Sequence, residues 1–99
     1  MMLSKGSLVN VLGYKTPFVV VSCSDFHKKS DFVWVCPIVQ GQDNYPLHVS
    51  LNQEQTVLCE NIKFFKTNVV TDTKDKLSSF QMAKVQEIIE AILGIHDEN

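Results

Sequence analysis

No stretch of this chain approaches the ~20 consecutive apolar residues that a membrane-spanning helix requires, so no such helix is expected. Met1 to Leu12 carries one lysine and neither a long apolar run nor a small-residue cleavage site, a composition that does not read as a signal peptide. Cysteine is sparse: Cys23, Cys36 and Cys59 are odd in number and widely spaced, which fits neither a disulfide framework nor a zinc site of paired ligands. Reduced thiols acting as small hydrophobes are expected instead, and the cytoplasm is the expected compartment. The four glycines, Gly6, Gly13, Gly41 and Gly94, are too scattered for a phosphate-binding loop, so a nucleotide-dependent enzyme is not expected. Positive charge is not in excess either, since nine basic residues face eleven acidic ones for a net charge of -2. A protein that coats nucleic acid through overall charge is thereby disfavoured, and any RNA or DNA contact has to use a local basic patch.

What is present is an ordinary globular composition, 44% hydrophobic and 20% charged, in 99 residues that fit one domain spanning 1–99. From Leu3 to about Val70, short runs rich in Val, Ile and Phe alternate with polar or glycine-containing breaks, the pattern of strands. Leu8–Leu12 reads as a first strand closed by Gly13, and Phe18–Val21 as a central strand apolar on both faces. Ser22 to Asp31 reads as a polar loop. Phe32–Cys36 is a third strand expected to stop at Pro37, with Trp34 packed between its valines. Leu47–Leu51 alternates strictly, so Val49 should be buried and His48 and Ser50 wet. Val57–Cys59, Ile62–Phe65 and a short Val69–Val70 follow. The period then changes: Phe80, Met82, Val85, Ile88, Ile89, Ile92 and Leu93 recur at helical spacing, with Ser78 or Ser79 as cap, Gly94 as stop and the isoleucines directed to the core. The fold class expected is mainly β with one C-terminal helix, arranged as a small barrel.

Two loops combine groups suited to nucleic acid. Asp25-Phe26-His27-Lys28-Lys29 joins an aromatic ring, an imidazole and two ammonium groups, enough to hold a phosphate and a base or simply to solvate a turn. Gln40-Gly41-Gln42-Asp43-Asn44-Tyr45 offers amides and a phenol for base edges, or a flexible hairpin connection. His27, His48 and His96 show no ligand spacing with one another or with the cysteines, so neither a metal nor another cofactor is expected.

Together these pieces resemble the MazF/PemK toxins of bacterial type II toxin–antitoxin systems over nearly the whole chain. Lys5-Gly6-Ser7-Leu8-Val9 stands where that family has Lys-Gly-Asp before its first strand, and Thr16-Pro17 followed by Phe18–Ser22 stands for its Arg-Pro and apolar strand ending in Ser. Val33–Val39, with Pro37-Ile38-Val39, corresponds to the strand ending in Pro-Ile-Thr or Pro-Leu-Ser. Tyr45–Leu51 resembles Pro-x-His-Val-x-Leu, and Val57–Lys63 resembles the strand leading to Gln-Ile-Arg or Gln-Ile-Lys. Leu77 to Ile95 is similar to the terminal helix and its Leu-Gly close. The resemblance implies an SH3-like barrel of the MazF/PemK/CcdB type, a homodimer, an antitoxin partner, single-stranded RNA as substrate and metal-independent endoribonuclease chemistry.

The resemblance also places two replacements. The family's Arg before Pro and its Thr or Ser after Pro-Ile/Leu flank the scissile phosphate, and their counterparts here are Thr16 and Val39. Valine has no side-chain donor and threonine no charge, so family-type cleavage should be weakened or lost. Lys15, His27, Lys28, Lys29 and Gln40 remain as candidate nucleic-acid contacts. The first inter-strand loop, Gly13 to Thr16, is also short. Two functions compete: a sequence-selective endoribonuclease restrained by an antitoxin, and a non-catalytic module that binds nucleic acid or protein and acts through a partner.

Overall fold

The computed structural model describes residues 3–41, 45–52 and 54–94. Seven strands and two helices follow in order: β1 (Ser7–Val11), β2 (Phe18–Val20), α1 (Ser24–Lys29), β3 (Phe32–Gln40), β4 (His48–Ser50), β5 (Gln55–Leu58), β6 (Lys63–Lys66), β7 (Val70–Lys76) and α2 (Ser79–Leu93). All strand pairings are antiparallel, in the order β4-β5-β3-β2-β1-β7, with β6 joined to β3. The mainly β architecture with a C-terminal helix is the one expected. Barrel closure is not: among the described residues the outer strands β4 and β7 do not pair, so the sheet stays open.

Strand β3 serves two partners along one edge. Its first half, Phe32 to Val35, pairs with β6, and its last three residues, Ile38 to Gln40, pair with β5. Pro37, expected to end the strand, sits inside it. The Ile38 N–H donates toward β2, to the Pro17 carbonyl at 3.0 Å. Neighbouring N–H groups on a strand point to opposite sides, so position 37 would donate to the other side, between the β6 and β5 pairings. A missing N–H costs little there, and the strand runs on.

Both faces of the central strands are buried. Phe18 and Val20 point into one apolar cluster with Val9, Val11, Val33, Val35 and Val70. Val19 points into a second with Cys36, Ile38, Val49, Val57, Cys59, Met82 and Val85. The alternation of β2 is therefore apolar against apolar, which explains its unbroken Phe-Val-Val run. Helix α2 covers the second cluster through Met82 and Val85, with Ile88 and Ile89 half-buried beside them, whereas Ile92, expected in the core, is exposed. Its start is fixed by a capping box: the Gln81 N–H donates to Ser78 Oγ at 3.1 Å and the Ser78 N–H donates to Gln81 Oε1 at 3.1 Å. The same glutamine donates through Nε2 to the Leu51 carbonyl at 3.1 Å, tying the helix start to the end of β4. Gly94 closes the helix at φ 75°, a left-handed conformation that glycine adopts without strain.

Two elements differ from expectation beyond their ends. The Ser22 to Asp31 loop contains the six-residue helix α1, which has no fully buried residue and therefore left no apolar period to read. The short Val69–Val70 strand is the seven-residue β7, whose Thr-Asp-Thr-Lys-Asp-Lys run carries an edge strand's polar composition.

Two outcomes are expected of this core. Phe18→Ala, which empties a fully buried site, should lower the free energy of unfolding in urea by ~3–5 kcal/mol, a large share of a small domain's stability. Burial, with charge repulsion added, pushes the thiols of Cys36 and Cys59 up from 9.0 to about 12. Their folded pKa values exceed the ordinary one, so the stability they contribute is complete below pH ~9 and is lost as pH rises toward about 12. A thiol reagent at pH 8 should therefore label exposed Cys23 rapidly and the other two only after unfolding, counted by absorbance.

Candidate functional site

The β2–β3 ladder has two ends, and the candidate residues divide between them. At one end the ladder closes with Phe18 opposite Pro37 and the Ile38 N–H donating to the Pro17 carbonyl, and Thr16 and Val39 are the next residues on the two segments. On its other side Val39 pairs with Thr56 of β5, and Gln40 pairs with Gln55. Thr16 and Val39, distant in sequence, thus lie at the same end of the ladder. Opposed residues of an antiparallel pair share a face, as Val39 and Thr56 do. Thr16 and Lys15 are exposed and Val39 is half-buried. Gln40 is exposed and belongs to β3, not to the loop expected there, while Gln42, Asp43 and Asn44 of that loop lie outside the described residues. The hydroxyl of buried Thr56 donates to the Gly41 carbonyl at 2.6 Å, so it already has an acceptor.

The short turn before Thr16 is braced by aromatic contacts. The Tyr14 ring meets Phe18 and Phe65 edge-on, each at 5.3 Å between centroids, and the Tyr14 N–H donates to the Val11 carbonyl at 3.0 Å. Gly13, at φ 89°, lets the chain reverse there. Among the described residues this end carries the Thr16 hydroxyl, the Gln40 and Gln55 amides and the Lys15 ammonium. All nine basic residues of the chain are lysines, so no guanidinium exists anywhere in it to supply a planar two-pronged contact to a phosphate.

His27, Lys28 and Lys29 lie at the other end, on α1, separated from Val39 by roughly 20 Å of the nine-residue β3. The His27 ring is a tether. Its Nδ1–H donates to the Leu3 carbonyl at 3.1 Å, and Nε2 shares a proton contact with the Ser22 hydroxyl at 2.5 Å. Ser22 Oγ in turn accepts the Trp34 N–H at 2.9 Å. Both ring nitrogens are thus used to bind the start of the chain and α1 to β3. The structure brings Lys15, Thr16, Val39 and Gln40 together and does not bring His27 to them. Lys28 and Lys29 are exposed on the last turn of α1.

His48, which the alternation of β4 turns away from the core, pairs with Glu60 at 2.7 Å and lines a shallow groove with Lys84 and Glu87 of α2. Trp34 differs from expectation. It does not pack between its valines but stands on the opposite face, 40% exposed, while Val33 and Val35 are buried. Strand alternation sets Trp34 on the face opposite Val33 and Val35, where at this end of β3 no apolar cluster of the described residues covers it.

Comparison with known proteins supplies the family. A model described as "PemK-like, MazF-like toxin of type II toxin-antitoxin system" matches residues 10–93. Among solved structures, MazF in a MazE–MazF complex from Deinococcus radiodurans superposes with a TM-score of 0.82 at 19% identity, over 95% of this chain and 97% of that one. An endoribonuclease in complex with its cognate antitoxin from a mycobacterial species gives 0.83 at 18% identity, over 94% and 96%. An endoribonuclease from a mycobacterial species gives 0.84 at 15% identity, over 95% and 93%. A search of curated proteins found no match. At these identities the structural likeness establishes the fold, and the family model, spanning most of the chain, establishes membership: the chain belongs to the PemK-like, MazF-like toxin family of type II toxin–antitoxin systems.

Proposed function

We propose that this chain is a toxin-family protein whose metal-independent RNA cleavage is lost or strongly weakened, and which acts in the cytoplasm, as a homodimer, by binding RNA and an antitoxin-like partner. The observation that carries this reading is the pair Thr16 and Val39. Attack of an RNA 2′-hydroxyl on the adjacent phosphorus builds negative charge on the phosphoryl oxygens, and rate depends on donors fixed in advance around them. Val39 offers no donor, and Thr16 offers one neutral hydrogen bond in place of a charge. Lys15 is the cation nearest in sequence, but an ammonium on a flexible stem is a point charge and does not reproduce a bidentate fork. Removing one such donor typically costs ~10²–10³ in rate, so losing both leaves little of a family-type reaction.

The MazF proteins solved with MazE, and the mycobacterial endoribonuclease solved with its antitoxin, support a protein partner for this fold. A chain of net charge -2 also suits protein association better than indiscriminate nucleic-acid binding.

The deciding measurement is incubation of a long, mixed-sequence single-stranded RNA with purified protein in EDTA, alongside a Thr16→Arg plus Val39→Thr double mutant. Wild-type protein should leave the RNA intact over times in which the double mutant, gaining a charged fork and a hydroxyl, cleaves at least ~10²-fold faster. Discrete wild-type fragments ending in cyclic phosphate would overturn the proposal.

A further inference from the structure

His48 begins β4, the outer strand at one end of the sheet, and its side chain reaches the turn that follows β5. There Nε2 meets Glu60 Oε2 at 2.7 Å, with the His48 side chain 13% exposed and that of Glu60 35% exposed. Backbone support is thin at this point. Strand β4 has three residues, and its ladder to β5 runs only from His48↔Leu58 to Ser50↔Thr56. Glu60 lies past Leu58, so its contact with His48 stands beyond the last backbone pair and adds a fixed point where the ladder has ended.

The surroundings of the ring favour its charged form. Glu60 accepts a hydrogen bond from either protonation state, but toward imidazolium it adds a full opposite charge at contact distance. The Tyr45 ring packs against the imidazole at 4.7 Å between centroids, tilted by 55°. Helix α2 presents two charges to the same groove, Lys84 and Glu87. These oppose each other in sign, and the Lys84 ammonium sits over the Phe80 ring at 4.5 Å. The thiols of Cys59 and Cys36, titratable neighbours of Glu60 on the core side, are pushed up to about 12 by burial and stay neutral while a histidine titrates. Among the described residues, two carboxylates thus face the ring against one ammonium. Desolvation works the other way and is the smaller effect, because the ring keeps some contact with water.

We propose that His48 is a pH-operated clasp: protonated, it fastens the β4 edge to the turn after β5, and neutral, it keeps only an uncharged donor to Glu60 and lets this end of the sheet open more readily. A ring held in its charged form by a carboxylate has a folded pKa above the ordinary ~6.5. The stabilisation is therefore complete below ~6.5 and is lost as pH rises through the folded value, close to neutrality. On its other edge β5 pairs with Ile38, Val39 and Gln40, so the clasp acts on the small ladder that carries two residues of the candidate site. The pair is internal to one chain and needs no open surface. It goes beyond the functional reading above and does not depend on whether RNA is bound or cut.

The test uses full-length, isotope-labelled protein. The His48 ring, assigned by its loss in His48→Gln, is titrated by NMR from about pH 5 to 9, and again in Glu60→Gln, which keeps a hydrogen-bonding amide and removes the charge. A wild-type midpoint about one pH unit above ~6.5, falling by about as much in Glu60→Gln, is expected. Hydrogen exchange of the β4 and β5 amides is then compared between the two proteins at one pH at a time, so that intrinsic exchange rates cancel. Exchange should be several-fold faster in Glu60→Gln at about pH 6 and nearly equal in the two proteins at about pH 8.5. Three results would overturn the inference: a wild-type midpoint at or below ~6.5, a midpoint that Glu60→Gln leaves in place, or an exchange ratio that is the same at both pH values. The last would mark a contact that is structural only. Because the wild-type midpoint needs no variant beyond the assignment, the inference is decided even where Glu60→Gln does not fold.

Discussion

The structure depends on the placement of β3, a nine-residue strand that carries three partners. Along one side it holds β2 at its middle, Val35 to Pro37; along the other it holds β6 and then β5. Pro37 marks the switch, and the backbone alternation turns its missing donor toward the gap between those two partners. Val33 and Val35 of β3 face one apolar cluster and Cys36 and Ile38 the other, and β2, locked to β3 by a continuous register, is buried on both sides as well. Most contacts that define the fold join residues far apart in sequence. Ordering these strands costs chain entropy, and burial of two apolar clusters on a shared pair of strands is what offsets it.

That arrangement decides which parts of the molecule were legible in the sequence. Local devices were: the Ser78 cap, the Gly94 stop and the apolar periods of β1, β2 and β4 can be read because each depends on neighbours within one turn or one alternation. The extension of β3 past Pro37 was not, because a proline's cost depends on which side its absent N–H would face, and that is set by β2 and β5. Strand β7 was shortened for a related reason. Its Thr71–Lys76 half lies at the sheet edge, where polar side chains protect an open ladder and erase the hydrophobic signal. Helix α1 was invisible because six residues without a buried side chain leave no period.

The site was legible as positions and not as an arrangement. Thr16 and Val39 could be named from a resemblance, but their placement at one end of the β2–β3 ladder follows from its register, which no local pattern encodes. His27 illustrates the reverse. Its sequence setting, beside an aromatic and two lysines, suggests a chemical role, yet its ring nitrogens are spent on Leu3 and Ser22. A histidine that fastens a short helix to the chain's first described segment does structural work.

The absence of arginine limits what the site can do. Binding a polyanion and stabilising its reacting phosphate make different demands on a cation. Binding gains from releasing counterions, which any ammonium near the backbone achieves, so lysines are adequate. Catalysis requires donors held against oxygens whose charge grows only in the transition state, where rigidity and paired geometry count and a mobile stem loses much of its benefit. The nine basic residues of this chain are all lysines, a set suited to the first demand and poorly matched to the second.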